Sequence, residues 1–162
     1  MSCDYSLLKA KTTTYDILSK CSKFSNADKI SIYVKPCHVT LVHDLIFKDN
    51  RSIKLGTVIG FPDGSSTVTV KMTEIKEALL NGVNEFDLIL NTSYIKSGEF
   101  GTLKNDILSL VKYIHRNNKF VNLVTNINLL NRTEKSFIYN IYSTSGADTI
   151  KDINIYNINI NS

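Results

Sequence analysis

The stretch from Gly56 to Gly98 constrains the fold more than any other. It runs Gly56-Thr-Val-Ile-Gly-Phe-Pro-Asp-Gly64, then a helical pattern to Leu80, then Asn81-Gly-Val-Asn-Glu-Phe-Asp-Leu-Ile-Leu-Asn91, closing at Lys96-Ser-Gly98. A strand, a helix and a strand with short glycine-containing joints pair most readily as parallel neighbours. In the second strand a period of two sets Asp87, Ile89 and Asn91 on one face and Phe86, Leu88 and Leu90 on the other. A carboxylate in an apolar strand is costly to bury unless it is paired or hydrogen-bonded. Asp87 therefore has a structural partner or does chemistry, and the strand alone leaves both open.

The same alternation fills the chain. A short segment, Asp4 to Lys9, comes first. Thr12 to Thr14 offer helix-capping hydroxyls ahead of Ile17, Leu18, Cys21 and Phe24 at helical spacing. Lys29 to Val34, bounded by Pro36, reads as a strand, and Val39, Val42, Leu45 and Ile46 mark a helix. Ile53 to Ile59 is a strand, followed by a helix whose inner stripe is Met72, Ile75, Ala78 and Leu79, stopped near Gly82. Leu103, Ile107, Leu110, Val111 and Ile114 form the clearest amphipathic helix, and Lys119 to Thr125 a further strand. Asn131 with Glu134 resembles a capping box opening a helix with Phe137, Ile138, Ile141 and Tyr142 inward, and Ala147 to Lys151 is a last short strand. Units of about 25 to 30 residues in strict strand–helix order are those of parallel α/β architecture.

Composition narrows the function classes. The 162 residues suit one domain, and a net charge of +4 with scattered lysines gives no nucleic-acid footprint. No segment has the apolar length of a membrane span, and the N-terminus lacks a signal peptide's apolar region. Cys3, Cys21 and Cys37 cannot all pair and show no CxxC spacing, so reduced thiols in a cytoplasmic setting are expected. His38, His43 and His115 form no metal-ligand helix pair and read as surface histidines, so no metal is expected.

Taken as an ordered set, these residues resemble the deoxyribose-phosphate aldolases, class I aldolases on a (β/α)8 barrel. The specific part is Thr57-Val-Ile-Gly-Phe-Pro62 followed by Gly64, Lys71, Glu74, Ala78, Gly82, Glu85, Asp87, Asn91 and Lys96-Ser-Gly98. Leu7-Leu-Lys9, Val34 with Pro36, Leu129-Leu130, Glu134-Lys135 and Gly146-Ala-Asp148 through Lys151 support it, so the resemblance spans roughly Asp4 to Lys151. It implies a parallel barrel of the TIM type, incomplete at about six of the eight units. It also implies a lysine Schiff base at Lys151, with Asp87 positioning water and relaying protons, and Asn91 and Thr57 as substrate-binding candidates. Without the family context, Lys151 reads equally as a lysine snorkelling from a strand end. The reaction implied is reversible cleavage of 2-deoxy-D-ribose 5-phosphate to D-glyceraldehyde 3-phosphate and acetaldehyde, with no metal or cofactor. The partner implied is thus a small phosphorylated sugar.

The chain departs from the family at several places. After the lysine the family reads Thr-Ser-Thr-Gly, where this chain reads Asp152-Ile-Asn-Ile-Tyr-Asn-Ile-Asn-Ile-Asn-Ser162. Asn122 and Asn126 replace the family's Lys and Glu on the fifth strand, and Tyr5 its His on the first. The seventh strand, with a second active-site lysine, and the eighth, with the phosphate loop, have no counterpart. The expected organisation is a partial barrel over residues 1–151 and a low-complexity tail over 152–162. The tail's Ile/Asn monotony has the look of AT-rich DNA read out of frame, so a truncated gene product is expected. Barrels of this type need at least about 200 residues, so six units leave two strand edges open. Alternating Ile153, Ile155, Ile158 and Ile160 would either cover one edge as an added strand or form an aggregation-prone end. The alternative function is a non-catalytic remnant acting as an interaction or binding protein, with a homodimer through the open edges. A flavodoxin-like open sheet, with its first strand internal, is least favoured because no GxGxxG or P-loop is present.

Overall fold

A computed structural model describes residues 3–24, 30–48 and 53–156. Six strands pair in parallel in the order in which the chain makes them: β1 (Cys3–Leu7), β2 (Ile30–Val34), β3 (Lys54–Ile59), β4 (Glu85–Ile89), β5 (Phe120–Thr125) and β6 (Thr149–Asp152). β1 is an edge strand, which removes the flavodoxin-like order and leaves the sequential order of an incomplete (β/α) barrel. Between strands come α1 (Thr14–Cys21), α2 (Val39–Lys48), α3 (Val68–Leu80), α4 (Thr92–Lys96), α5 (Phe100–Arg116) and α6 (Arg132–Ser145). None of the described helices is long and apolar enough to cross a membrane.

Strand alternation divides the apolar residues into two layers. Ile32, Leu55, Ile59, Phe86, Leu88, Leu90, Val121 and Leu123 face the helices and pack with Ile75, Leu103, Ile107, Leu110 and Ile114. The opposite faces of the strands contribute Leu8, Val58, Ile89 and Val124 to a smaller interior cluster, completed by Ile153 and Tyr156. Lys151 of β6 reaches Asp4 of β1 at 3.1 Å, so the sheet curls far enough for its first and last strands to share side-chain contacts.

Boundary chemistry matches the sequence in most places. α6 opens with a complete capping box: Asn131 Oδ1 accepts from Glu134 N at 2.9 Å, and Glu134 Oε2 accepts from Asn131 N at 2.8 Å. Lys96 Nζ lies 2.9 Å from the same Glu134 oxygen, joining α4 to the cap. Replacing Asn131 by alanine should cost about 1 kcal/mol, read as a shifted urea midpoint with an unchanged slope. α6 ends at Gly146 with φ 80°, a left-handed stop that suits glycine.

Two elements depart from expectation. Asn91, expected to end its strand, caps the short helix α4 instead, and α5 begins directly after it at Phe100. Past β6, Ile153–Tyr156 forms a 3-10 turn rather than an added edge strand. Its spacing turns Ile153 and Tyr156 into the interior and leaves Ile155 half exposed, so the Ile/Asn alternation does not set a strand here. Ile158 and Ile160 lie outside the described residues.

Candidate active site

Lys151 and Asp87 meet on the inner face of the sheet. Lys151 Nζ stands 3.3 Å from Asp87 Oδ1 and 3.1 Å from Asp4 Oδ2, and lies over the Tyr33 ring at 4.1 Å from its centroid. The register explains the meeting. Asp87 is opposite Asn122 on β5, and Asn122 is opposite Thr149 on β6, two residues before Lys151 on the same face. Asp148, in the Gly146-Ala-Asp148 turn, fixes where β6 begins by accepting from Val121 N at 2.8 Å.

Asp87 is wholly buried, and both its oxygens are engaged. Oδ1 accepts from Asn122 Nδ2 at 2.7 Å, and Oδ2 accepts from the Tyr156 hydroxyl. Asn122 Nδ2 also donates to the Tyr33 hydroxyl at 3.1 Å, and its Oδ1 accepts from Thr149 Oγ1 at 2.7 Å. The Tyr33 hydroxyl in turn donates to Glu85 Oε2 at 2.7 Å, and Glu85 Oε1 pairs with Lys54 at 2.8 Å. A continuous polar chain therefore crosses the interior from Lys54 to Lys151, each member satisfied by its neighbours, as buried polar groups require.

These surroundings set the protonation tendencies. Burial pushes the Asp87 carboxyl above the usual range, against the pull of Lys151, Tyr156 and Asn122. At Glu85 burial acts the same way, but hydrogen bonds from Lys54 and Tyr33 and the Lys54 charge outweigh it and hold that carboxyl low. Burial, aided by the neighbouring Asp87 charge, raises both the Tyr33 and the Tyr156 phenols. Tyr156 is therefore a donor to Asp87 and stays protonated.

The remaining sequence candidates stand elsewhere. Thr57 is wholly buried on the helix-facing side of β3, and its Oγ1 donates to Val34 O at 2.8 Å. A period of two places Gly56 and Val58, not Thr57, toward the interior, so the Thr57 side chain stands on the other face of the sheet from Lys151 and Asp87. Asn91 spends its side-chain oxygen on Tyr94 N at 3.2 Å as the α4 cap. Much of the Gly-Phe-Pro motif proves to be scaffold. Lys71 Nζ donates to Ile89 O at 3.1 Å, and Glu74 accepts from Gly60 N at 2.7 Å, binding the turn after β3 to the end of β4. Burial lowers the Lys71 pKa. A Cβ at Gly60 would come within 2.5 Å of Lys71 Cε, so the glycine makes room for that lysine.

Four site residues escaped the sequence reading. Asp4 carried a usable signal, a carboxylate alternating with apolar Tyr5 and Leu7. Asn122 was visible only as a departure from the family, and Tyr33 only as the single aromatic residue of its strand. Tyr156 carried none, because it lies in the Ile/Asn-rich tail.

No protein-family model matches the chain. Among curated proteins, it is 31% identical over 148 residues to the deoxyribose-phosphate aldolase of Thermococcus kodakarensis, which covers 91% of this chain and 66% of that protein. It is 33% identical over 149 residues to the deoxyribose-phosphate aldolase of Caldanaerobacter subterraneus subsp. tengcongensis, covering 91% and 64%. The chain thus spans somewhat under two thirds of the length of these relatives. A solved structure of the deoxyribose phosphate aldolase from Aeropyrum pernix, described as a unique tetramer, superposes with a TM-score of 0.82 at 22% identity, over 95% of this chain and 64% of that one. Fold and site together are those of a (β/α)-barrel protein with an inward lysine–carboxylate pair. The chain belongs to the deoxyribose-phosphate aldolase family.

Proposed function

We propose that this chain carries the Schiff-base half of a class I aldolase site, with Lys151 as nucleophile and Asp87 as its proton partner. The observation that carries the reading is the 3.3 Å approach of Lys151 Nζ to a fully buried Asp87. The substrate is 2-deoxy-D-ribose 5-phosphate, a reading supported by the name deoxyribose-phosphate aldolase that its relatives carry, and the setting is cytoplasmic deoxyribonucleoside catabolism.

The chemistry follows from the two groups. Neutral Lys151 attacks the aldehyde carbon, and loss of water gives an imine. A proton leaves the 3-hydroxyl through water held at Asp87, the C2–C3 bond breaks, and its electron pair passes into the imine to give an enamine. Glyceraldehyde 3-phosphate departs, the enamine takes up a proton at carbon, and hydrolysis frees acetaldehyde and the amine. The imine is itself the electron sink, so the scheme needs no metal or cofactor. To reach a carbonyl carbon, Lys151 must leave its contact with at least one of its two carboxylates.

Incubation with acetaldehyde and borohydride should leave an ethyl group on Lys151, located by peptide mass mapping and absent from Lys151→Met. Labelling that spares Lys151, or spreads evenly over the exposed lysines, would overturn the reading. One observation favours a second reading, a non-catalytic family member that binds or interacts. Asp87 has no oxygen free of a partner, since Tyr156 holds the one that Lys151 and Asn122 leave. An unlabelled but folded chain that sediments as a dimer would support it.

A further inference from the structure

Tyr33 is wholly buried on the inner face of β2, and the strand register explains how so large a side chain fits there. Tyr33 stands opposite Gly56 on β3, and Gly56 stands opposite Glu85 on β4. The ring crosses β3 at the position that has no side chain, and its hydroxyl reaches Glu85 Oε2 at 2.7 Å. A Cβ at Gly56 would lie 2.4 Å from Tyr33 Cδ1 and 2.5 Å from Cε1, so another residue there would push the ring aside. Gly56 does not have left-handed backbone, so room for the ring accounts for it. Asn122 Nδ2 donates to the same hydroxyl at 3.1 Å. The ring is thus held by its strand at one end and by two hydrogen bonds at the other. Lys151 Nζ lies over its face, 4.1 Å from the centroid.

The electronics of this ring suit a cation. Burial and the nearby Asp87 and Glu85 charges keep the phenol protonated. Against burial, hydrogen bonds from Lys54 and Tyr33 hold the Glu85 carboxyl low, so the Tyr33 hydroxyl donates to an anion. Donation to a carboxylate raises the electron density of the ring and deepens the negative potential over its face, where cations bind. The Lys151 distance is well inside the limit of about 6 Å for such contacts. Asp4 and Asp87 also hold Lys151, but they do so through its N–H groups. An ammonium has three N–H donors, whereas a protonated imine keeps one. Hydrogen bonds to the carboxylates therefore thin out as the nitrogen joins a carbonyl carbon. Attraction to the ring face depends on charge and needs no N–H.

We infer that the Tyr33 ring is the seat of the positive nitrogen of Lys151, as ammonium and then as protonated imine, and that Gly56 and Glu85 act by holding that ring in place. The inference rests on Lys151 as the nucleophile. In that step the neutral amine adds to the aldehyde carbon, the adduct takes up a proton and loses water, and the charge stays on nitrogen.

Two reagents applied to the same amine of the full chain test it. Acetaldehyde with borohydride passes through the cationic imine and leaves an ethyl group, whereas acetic anhydride acylates the neutral amine and leaves no charge. Peptide mass mapping gives the ratio of ethyl to acetyl at Lys151, in which changes of exposure cancel. Tyr33→Leu, which removes the ring, should lower that ratio about fivefold, the scale of one cation–π contact. Difluorotyrosine at the same position keeps the shape and the hydroxyl but weakens the face, and should lower the ratio about twofold. It decides the matter even where Tyr33→Leu fails to fold. Tyr33→Phe, which keeps the face, should retain most of the ratio. A ring that served only packing would move both labels together. An unchanged ratio with difluorotyrosine, or a fall in Tyr33→Phe as deep as in Tyr33→Leu, would overturn the inference while leaving the Schiff base intact. A parent chain acetylated but never ethylated at Lys151 is a distinct result, which would overturn the Schiff-base reading and the inference with it.

Discussion

Alanine at Gly64 is expected to unfold this chain more readily than alanine at Gly98, although both positions hold left-handed backbone, with φ 76° and 71°. At Gly98 an added Cβ meets nothing within 4 Å, and the cost is the conformational strain alone, about 1 kcal/mol. At Gly64 the same Cβ would lie 2.3 Å from Leu90 O and 2.7 Å from Asn91 N. Those are main-chain atoms at the end of β4, so no rotamer change can relieve the clash. Gly64 also closes the turn after β3 by donating to Gly60 O at 2.8 Å, and the next contact, Thr92 N to Asp63 O, ties that turn to α4. The expected loss at Gly64 is roughly 3–4 kcal/mol, strain plus forced backbone displacement. Urea unfolding of the two variants side by side measures it, and equal losses would mean that the turn and β4 do not approach as described.

Asp87 is where the second large effect is expected, and its two obvious substitutions should separate. Asp87→Ala removes one of the two carboxylates that pair with Lys151 and strands the Tyr156 hydroxyl inside the interior. Truncating one member of a buried pair costs about 3 kcal/mol or more. Asp87→Asn keeps the shape and can still accept from Lys151 and Asn122 while donating to the Tyr156 oxygen, so most of that loss should be avoided. The pH dependence gives the sharper reading. Burial raises the Asp87 carboxyl in the fold. A carboxyl so raised contributes stability that is complete below its unfolded value, about 3.9, and lost as the pH rises through the folded value. Asp87→Asn lacks that contribution, so its melting temperature should gain on the parent's as the pH climbs from about 4 toward neutrality. Glu85 works in the opposite sense in both proteins. Its carboxyl is held low, so its stabilisation is present above the unfolded value and disappears as the pH falls through the folded one. A difference between the two melting curves that does not change with pH would show that the Asp87 carboxyl is not raised.

Much of this architecture is legible in the sequence because its causes are local. The buried stripe of α5 is the expected Leu103, Ile107, Leu110, Val111 and Ile114, since a single helix face with a period of 3.6 decides it. The capping box at Asn131 and the glycine stop at 146 are likewise settled within a few residues. The two faces of β4 follow from a period of two, and they put Asp87 on the interior side. What local reasoning could not reach is what crosses the sheet. Asp4 and Lys151 lie 147 positions apart, and only the curl of six strands brings them together. Thr57 shows a related limit. Its motif runs beside the site, but alternation along β3 turns its side chain toward the helices. The short helix after Asn91 was missed because five residues are too few to show a helical period.

The Tyr156 hydroxyl on Asp87 has a thermodynamic corollary. Any molecule that is to use Asp87 Oδ2 has to exchange places with a phenol already bonded there, whose ring packs in the apolar cluster of Leu8, Val58 and Val124. Measured affinity at that oxygen is then an exchange constant, the intrinsic constant scaled by the fraction of chains in which the ring has swung clear. Tyr156→Phe, which keeps the ring and gives up the bond, would raise that fraction and tighten such ligands without adding a contact.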